Sequence, residues 1–442
     1  MMMQDIIVAP ATALGGAIAV LRLSGAGSIA CCDSIFRGRK PLAEAATHTL
    51  HYGTICDGER VVDDVVVAVF RAPHSYTGEE SVEISIHGSR YIASEVLRLL
   101  CSAGARMAEA GEFSQRALAA GRIDLSQAEA VADLIASGSK AAHAIASTQM
   151  RGGYSEMLEG LREELLSTTA LLELELDFSE EDVEFADRGR LRTMLTDTDR
   201  VVVRLMESFR VGNAIREGVA VAIVGRPNVG KSTLLNALVG DDRAMVSDIA
   251  GTTRDTVEEC VTIEDIKFRF IDTAGLHDTD DRLEKMGIER TEGAISKAQI
   301  VISVADPENE FVELPQLGEE QSLIRVVNKM DIAGCRDVED AIYISARTGE
   351  GVSAIAEALR SRVDTDAVYR GDVVVSNMRH FEALSRAHEA LGVAVSALDM
   401  GVSEELLAED IRVAINALGE ITGKITNDDI LRTIFSRFCI GK

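Results

Sequence analysis

Residues 225–233 read Gly-Arg-Pro-Asn-Val-Gly-Lys-Ser-Thr. This is the phosphate-loop spacing G-x-x-x-x-G-K-S/T, and the residue types suit the chemistry. Gly225 and Gly230 let the backbone turn its N–H groups toward phosphate oxygens. The start of a following helix adds positive potential. Lys231 is placed to reach the β- and γ-phosphates and Ser232 to bind Mg²⁺, while Asn228, Val229 and Thr233 complete the nucleotide-facing run. A Gly-rich turn arising by chance is the rival reading. Against it stands the context: Val219–Val224 has the composition of a buried strand, and a helix begins by about Thr233.

Further segments follow in the order such a site needs. Asp272-Thr273-Ala274-Gly275 comes after the apolar run Phe268–Ile271. An Asp at a strand end can hold Mg²⁺ through water, and the Gly N–H can sense a γ-phosphate. Asn328-Lys329-Met330-Asp331 comes after Leu323–Val327. The Asp331 carboxylate can accept from the N1–H and 2-amino group of guanine. Adenine offers neither donor, a difference worth on the order of 10⁴-fold in discrimination. Asn328 can contact the base and orient the loop, and the Lys329 stem can pack on the ring. Ser345-Ala346-Arg347 offers a backbone N–H for guanine O6. Together these elements select GTP and resemble a Ras-like G domain.

The hydrolytic residue is less plainly written. Ras-type proteins place a Gln after the D-x-x-G turn to orient water; here Leu276 stands there. Glu284 could serve instead, directly or through a second water, although a solvated acidic loop also explains its position. Residues 244–255 read as the first switch segment, with Thr253 as the second Mg²⁺ ligand. The amide oxygen of Asn228, joined by loop carbonyls, could form an all-oxygen nest for a monovalent cation. Such an ion would neutralise transition-state charge as an arginine finger does.

The elements around these residues divide the 442-residue chain, whose length suggests about three domains. To about residue 120, strand-like runs such as Asp64–Phe70 alternate with helices such as 91–101. From Asp124 the pattern turns helical, with Ser126-Gln127-Ala128-Glu129 reading as a capping box. A second helical stretch runs from about Ser376 to Phe438. There are six Pro, none after Pro315, which suits long helices. Seven Cys lack any metal-ligand spacing and read as free thiols in a reducing compartment. No basic leader and no membrane-spanning run is visible, so the expectation is a cytoplasmic protein without a membrane role. The formal net charge is −27. A surface that gripped nucleic acid by itself would carry a basic stripe, so any such role is weak, local or shared with a basic partner.

Over nearly its full length the chain resembles the MnmE (TrmE) family of tRNA-uridine-modifying GTPases. The residues that carry the resemblance are Ser75-Tyr76-Thr77-Gly78-Glu79, Gly111-Glu112-Phe113-Ser114 and the helix start 124–135. To these add Gly225–Asn228, the run Asp248-Ile249-Ala250-Gly251-Thr252-Thr253-Arg254-Asp255, and the final Cys439-Ile440-Gly441-Lys442. The resemblance implies a multidomain α/β plus all-α fold. Residues 1–120 would be an N-terminal α/β domain that dimerises and binds tetrahydrofolate. Residues 121–213 and 369–442 would be two parts of a discontinuous helical domain, and 214–368 an inserted Ras-like P-loop G domain. It implies a K⁺-dependent GTP hydrolase acting as a homodimer and as a heterotetramer with MnmG, a partner using FAD and NADH. Their substrate would be the wobble uridine of certain tRNAs. C5 would receive an aminomethyl or carboxymethylaminomethyl group from a 5-formyl or methylene tetrahydrofolate donor.

Carried over by position, Asn228, Ser247, Ile249 and Thr252 would hold K⁺, and Ser232 and Thr253 Mg²⁺. Glu284 falls on the family's catalytic glutamate. Arg22, Glu83, Arg122 and Lys442 match folate-site positions, and Cys439 matches a Cys proposed to act near that site. Two departures stand out: Ser247 where Thr is common, and Arg122 where Lys is common, which replaces a point charge by a planar fork. Other readings stay open. Arg22 and Glu83 could be a surface salt bridge, Cys439 an inert thiol, and the whole chain a ribosome-assembly GTPase acting as an RNA-binding switch.

Overall fold

The computed structural model describes residues 5–177, 187–240, 244–246, 259–271, 292–318, 321–332, 338–425, 428–436, 438 and 441. It comprises two compact units, Met1–Ala132 with Gly419–Lys442, and Asp133–Leu418.

In the first unit the strands are β1 (Ile6–Pro10), β2 (Ile18–Ser24), β3 (Phe36–Gly38), β4 (Thr49–Asp57), β5 (Arg60–Phe70), β6 (Ser81–His87) and β7 (Ala105–Met107). They form one sheet in the order β3-β4-β5-β6-β2-β1-β7. Strand β5 shows why the sheet has a dry and a wet face. Val65, Val67 and Val69 are buried and alternate with Asp64 and Val66, which are exposed. The buried face packs with residues of α1 (Ser28–Ile35) and α2 (Arg90–Ser102). Helices α3 (Glu112–Ala119) and α4 (Leu125–Ala136) follow.

The cap of α4 differs from the expected box. Asp124 Oδ1 accepts from the Gln127 N–H and Gln127 Oε1 accepts from the Asp124 N–H, both at 2.9 Å. The reciprocal pair is thus Asp124–Gln127, two residues earlier than Ser126–Glu129. A carboxylate has an acceptor to spare: the Ser126 hydroxyl donates to the same oxygen at 2.8 Å instead of capping.

In the second unit α5 (Lys140–Met150), α6 (Gly153–Asp177) and α7 (Arg188–Glu217) lead into β8 (Val219–Val224) and α8 (Lys231–Val239). Then come β9 (Ala244–Val246), β10 (Glu259–Ile263), β11 (Ile266–Phe270), β12 (Ile300–Ala305), β13 (Ser322–Val327) and β14 (Ala341–Tyr343). The helices that follow are α9 (Val352–Ser361), α10 (Asp366–Arg370), α11 (Met378–Asp399) and α12 (Glu404–Thr422), while α13 (Asp428–Phe435) belongs to the first unit. The sheet order is β14-β13-β12-β8-β11-β10-β9, parallel from β14 to β11, with β10 and β9 antiparallel. Every residue of β12 is buried, as befits a central strand covered on both faces. Ala141 and Ile145 of α5 and Ala214 and Ile215 of α7 share one core cluster with β8, β10 and β11. Helices α5 and α7 therefore pack against this sheet within the second unit. Among the described residues no helix is long and apolar enough to cross a membrane.

A buried ionic cluster ties the first unit together. Arg116, whose side chain is 3% exposed, donates to Glu112 Oε1 (3.0 Å), Glu79 Oε2 (3.2 Å) and Asp5 Oδ1 (2.8 Å). Burial pushes the Glu112 carboxyl up. Hydrogen bonds from Arg106, the Glu109 N–H and Arg116 outweigh this and hold it below its ordinary 4.5. A lowered carboxylate stabilises the fold above its unfolded-state value, and the contribution is lost as pH falls through the folded one. Glu112→Gln is expected to cost about 3 kcal/mol at pH 7. The gap from wild type should narrow below pH 4.5, read by urea unfolding of the full chain at both pH values.

Candidate functional site

The site lies at the carboxyl ends of the parallel strands, where the chain order reverses about β8 and open α/β sheets bind ligands. Gly225 passes so close to β12 that a Cβ would lie 2.4 Å from the Val304 carbonyl oxygen. Gly230, at φ 96, leaves no room either: a Cβ there would sit 2.3 Å from Asn328 Nδ2. The conformation and the crowding both require glycine. Helix α8 starts at Lys231, so its first N–H groups face the loop.

Lys231 Nζ donates to the Gly225 and Arg226 carbonyls at 2.9 and 3.1 Å. Those acceptors are neutral, and burial pushes the ammonium below its ordinary 10.5. A desolvated cation facing neutral carbonyls in a glycine-bounded loop fits an anionic ligand. Ser232 is half-buried in the first helical turn, and Asn228, exposed in the loop, has φ 65.

Asn328 is 3% exposed, and both ends of its amide are engaged. Nδ2 donates to the Val229 carbonyl at 2.8 Å, and Oδ1 accepts from the Ala346 N–H at 2.9 Å. Of the two roles expected for Asn328, these bonds perform the orienting one. Among the described residues the exposed Asp331 accepts from the Ser345 hydroxyl at 2.9 Å, through Oδ1 only. The Ser345 N–H is bonded to the Glu350 carbonyl at 2.9 Å. The segment 345–347 was expected to offer one backbone N–H to guanine O6; among the described residues this leaves that of Arg347 as the open donor. Lys329, at φ 67, donates to Asp306 Oδ2 at 2.5 Å. Burial pushes the Asp306 carboxyl up, but hydrogen bonds from Lys329, Asn309 and Glu308 hold it below its ordinary value. Sequence reasoning missed Asp306. An acid closing a strand that is apolar but for Ser303 was the only signal, and no motif includes it.

In the first unit, the β2–β6 register sets Arg22 directly opposite Glu83, and they pair at 2.7 Å. The expected alternative of a salt bridge is present, but half-buried, with side chains 19% and 30% exposed. The Arg22 guanidinium lies 5.7 Å from the ring centre of Tyr76 and 5.8 Å from that of Phe113. Tyr76 in turn shares a 2.9 Å hydrogen bond with Ser114. The motifs 75–79 and 111–114 thus meet around Arg22. Arg122 is exposed, its stem against Gly78. Gly441 packs so close to Pro10 that a Cβ would lie 2.1 Å from its carbonyl oxygen, and Pro10 pairs with Leu21, beside Arg22.

Ser247, Asp248, Ile249, Ala250, Gly251, Thr252, Thr253, Asp272, Thr273, Ala274, Gly275, Glu284, Cys439 and Lys442 lie outside the described residues.

A parallel sheet of this order, with a phosphate loop after β8 and an Asn-Lys-x-Asp loop after β13, defines a Ras-like P-loop G domain. Comparison with known proteins extends this to the whole chain. The family model described as "GTP-binding protein TrmE N-terminus" matches residues 6–122, and "MnmE helical domain" matches 125–439. The tRNA modification GTPase MnmE of Bacteroides thetaiotaomicron is 47% identical over 465 residues, covering 100% of both chains. That of Christiangramia forsetii is 46% identical over 474 residues with the same coverage. The chain belongs to the MnmE family of tRNA modification GTPases. Among solved structures, Aquifex aeolicus Era bound to GDP·AlF4⁻ is 24% identical, covering 38% of this chain and 65% of that one, with TM-score 0.24. The G domain of Thermotoga maritima FeoB is 25% identical, covering 33% and 99%, with TM-score 0.23.

Lys231→Met keeps the stem and removes the strained charge. Nucleotide affinity should fall by about 10²-fold or more, while the melting temperature without nucleotide stays level or rises. Calorimetric titration and thermal unfolding check the two halves.

Proposed function

We propose that this chain hydrolyses GTP in a K⁺-dependent cycle and, with MnmG, modifies C5 of the wobble uridine of certain tRNAs. The group installed is aminomethyl or carboxymethylaminomethyl, and the one-carbon donor is a tetrahydrofolate derivative. The observation that carries the nucleotide half is the Asn328 bridge, which sets a phosphate-facing lysine and a base-facing carboxylate on one frame. Lys231 balances phosphate charge and Asp331 selects guanine through its remaining oxygen. Ser232 and Thr253 are the Mg²⁺ ligands of this reading. Asn228, Ser247, Ile249 and Thr252 are those of K⁺, which when bound would supply the positive charge of an arginine finger. Glu284 orients the attacking water.

The folate half rests on Arg22, Glu83, Arg122 and Lys442. Its support is the half-buried Arg22–Glu83 pair flanked by two aromatic rings. The carboxylate can accept from pterin N–H groups, and the exposed Arg122 can meet a folate carboxylate. Cys439 is assigned near this site because Phe438 and Gly441, its described flanks, belong to the first unit. Residues 1–120 serve as the dimerisation and folate domain, and 214–368 as the G domain inserted between helical parts 121–213 and 369–442. Homodimerisation is supported by the open face of β4 and β5, where Leu50 is 73% exposed, Tyr52 70% and Val66 37%. FAD and NADH belong to the partner, and the cytoplasm is the proposed compartment. Likeness over the full length supports this reading over a ribosome-assembly switch.

GTP turnover in K⁺ is expected to exceed that in Na⁺ at equal ionic strength by about 10²-fold, and Asn228→Ala should erase the difference. Equal rates in the two salts would remove the cation mechanism. Deleting the gene should abolish C5 modification of wobble uridine as read by mass spectrometry of tRNA. Unchanged modification would sink the enzymatic assignment.

A further inference from the structure

Asp306 follows the fully buried β12, and its side chain is 0% exposed. Its two oxygens do different work. Oδ1 accepts from the backbone N–H groups of Glu308 (3.1 Å) and Asn309 (2.7 Å) and from Asn309 Nδ2 (2.9 Å), closing the turn that leaves the strand. Oδ2 accepts from Lys329 Nζ at 2.5 Å. The turn uses one oxygen only. The second, equally buried, is committed to the cation. Lys329 follows Asn328, which ties the loops, and stands two residues before Asp331, which faces the base. Its side chain is 32% exposed, so the ammonium is fixed while part of the stem stays open. A free lysine stem has many rotamers, and packing a ring on it would require immobilising them at the moment of binding.

We propose that Asp306 is a positioning residue for guanine nucleotide: its Oδ2 anchors the Lys329 ammonium, so that the methylene stem forms a wall of the base slot before nucleotide arrives. The inference rests on the guanine reading of this site. Asp306 touches no substrate and acts through Lys329 alone.

Stopped-flow release of a fluorescent GDP analogue from the full chain tests it, with melting temperature measured alongside. In Asp306→Asn the amide oxygen takes the Oδ1 place, because three N–H donors face it. The NH₂ then confronts Lys329, a donor where an acceptor stood, so the turn survives and the anchor is lost. Release is expected to be about tenfold faster, as for loss of a hydrogen bond to a charged group. The double variant with Lys329→Met should release no faster than Lys329→Met alone, since both remove one interaction. Asn309→Ala weakens the turn but keeps Oδ2; it should lower the melting temperature and leave release within about twofold. Should Asp306→Asn not fold, Asp306→Glu carries the test, moving the same charge by one methylene, with release again expected to quicken. Wild-type release in the Asp306 variant that folds, or additive effects in the double variant, overturns the proposal. A wild-type chain that binds no GDP overturns the guanine reading first.

Discussion

The nucleotide site depends on one side-chain amide. Asn328 follows β13, and the loop it reaches follows β8, with β12 lying between them. Two strand spacings, about 10 Å, therefore separate the backbones that must cooperate on one ligand. The amide spans the gap from within, donating to the Val229 carbonyl and accepting from the Ala346 N–H. Because Asn328 is buried, either bond broken leaves a polar group without water, at about 1–3 kcal/mol each. The absence of a Cβ at Gly230 follows from the same contact.

Two charges beside this bridge, the buried Asp306 and the half-buried Lys231, are provided for in opposite ways. Asp306 has four donors on its two oxygens, and its carboxyl is held low. Among the described residues Lys231 has only neutral carbonyls, and its ammonium is pushed down. A satisfied buried charge organises its surroundings; one left facing neutral dipoles awaits a counter-charge. The Arg116 cluster in the first unit is ion-paired through both terminal nitrogens, while Arg116 Nε has no hydrogen-bond partner among the described residues. It reaches Glu79 in the loop that also carries Tyr76.

Much of the fold was legible. Val219–Val224 is an apolar run and 323–327 is one interrupted only by the exposed Arg325, and both are strands of the parallel sheet. The start of α4 near Asp124 was read correctly, but its capping box was placed two residues late, since Asp124 and Ser126 are both good caps and only geometry decides between them. That α5 shares the core of the nucleotide sheet was not legible, because nothing local marks Ala141 and Ile145 as facing β10 and β11. The Arg22–Glu83 pairing was guessed, but its shelter between Tyr76 and Phe113 came from strand register.

The sequence by itself determined the class of ligand and the base. Phosphate binding and guanine selection use residues a few positions apart, and their spacing along the chain is the spacing of the chemistry. Only the tertiary structure decided that Asn328 ties loops through both ends of its amide, that Arg347 holds the open amide, and that Asp306 holds Lys329. Those partners lie 99, 18 and 23 residues apart in the chain, and no local periodicity encodes contacts between residues that distant. They arise when parallel strands stack in a particular order and bring their carboxyl ends together.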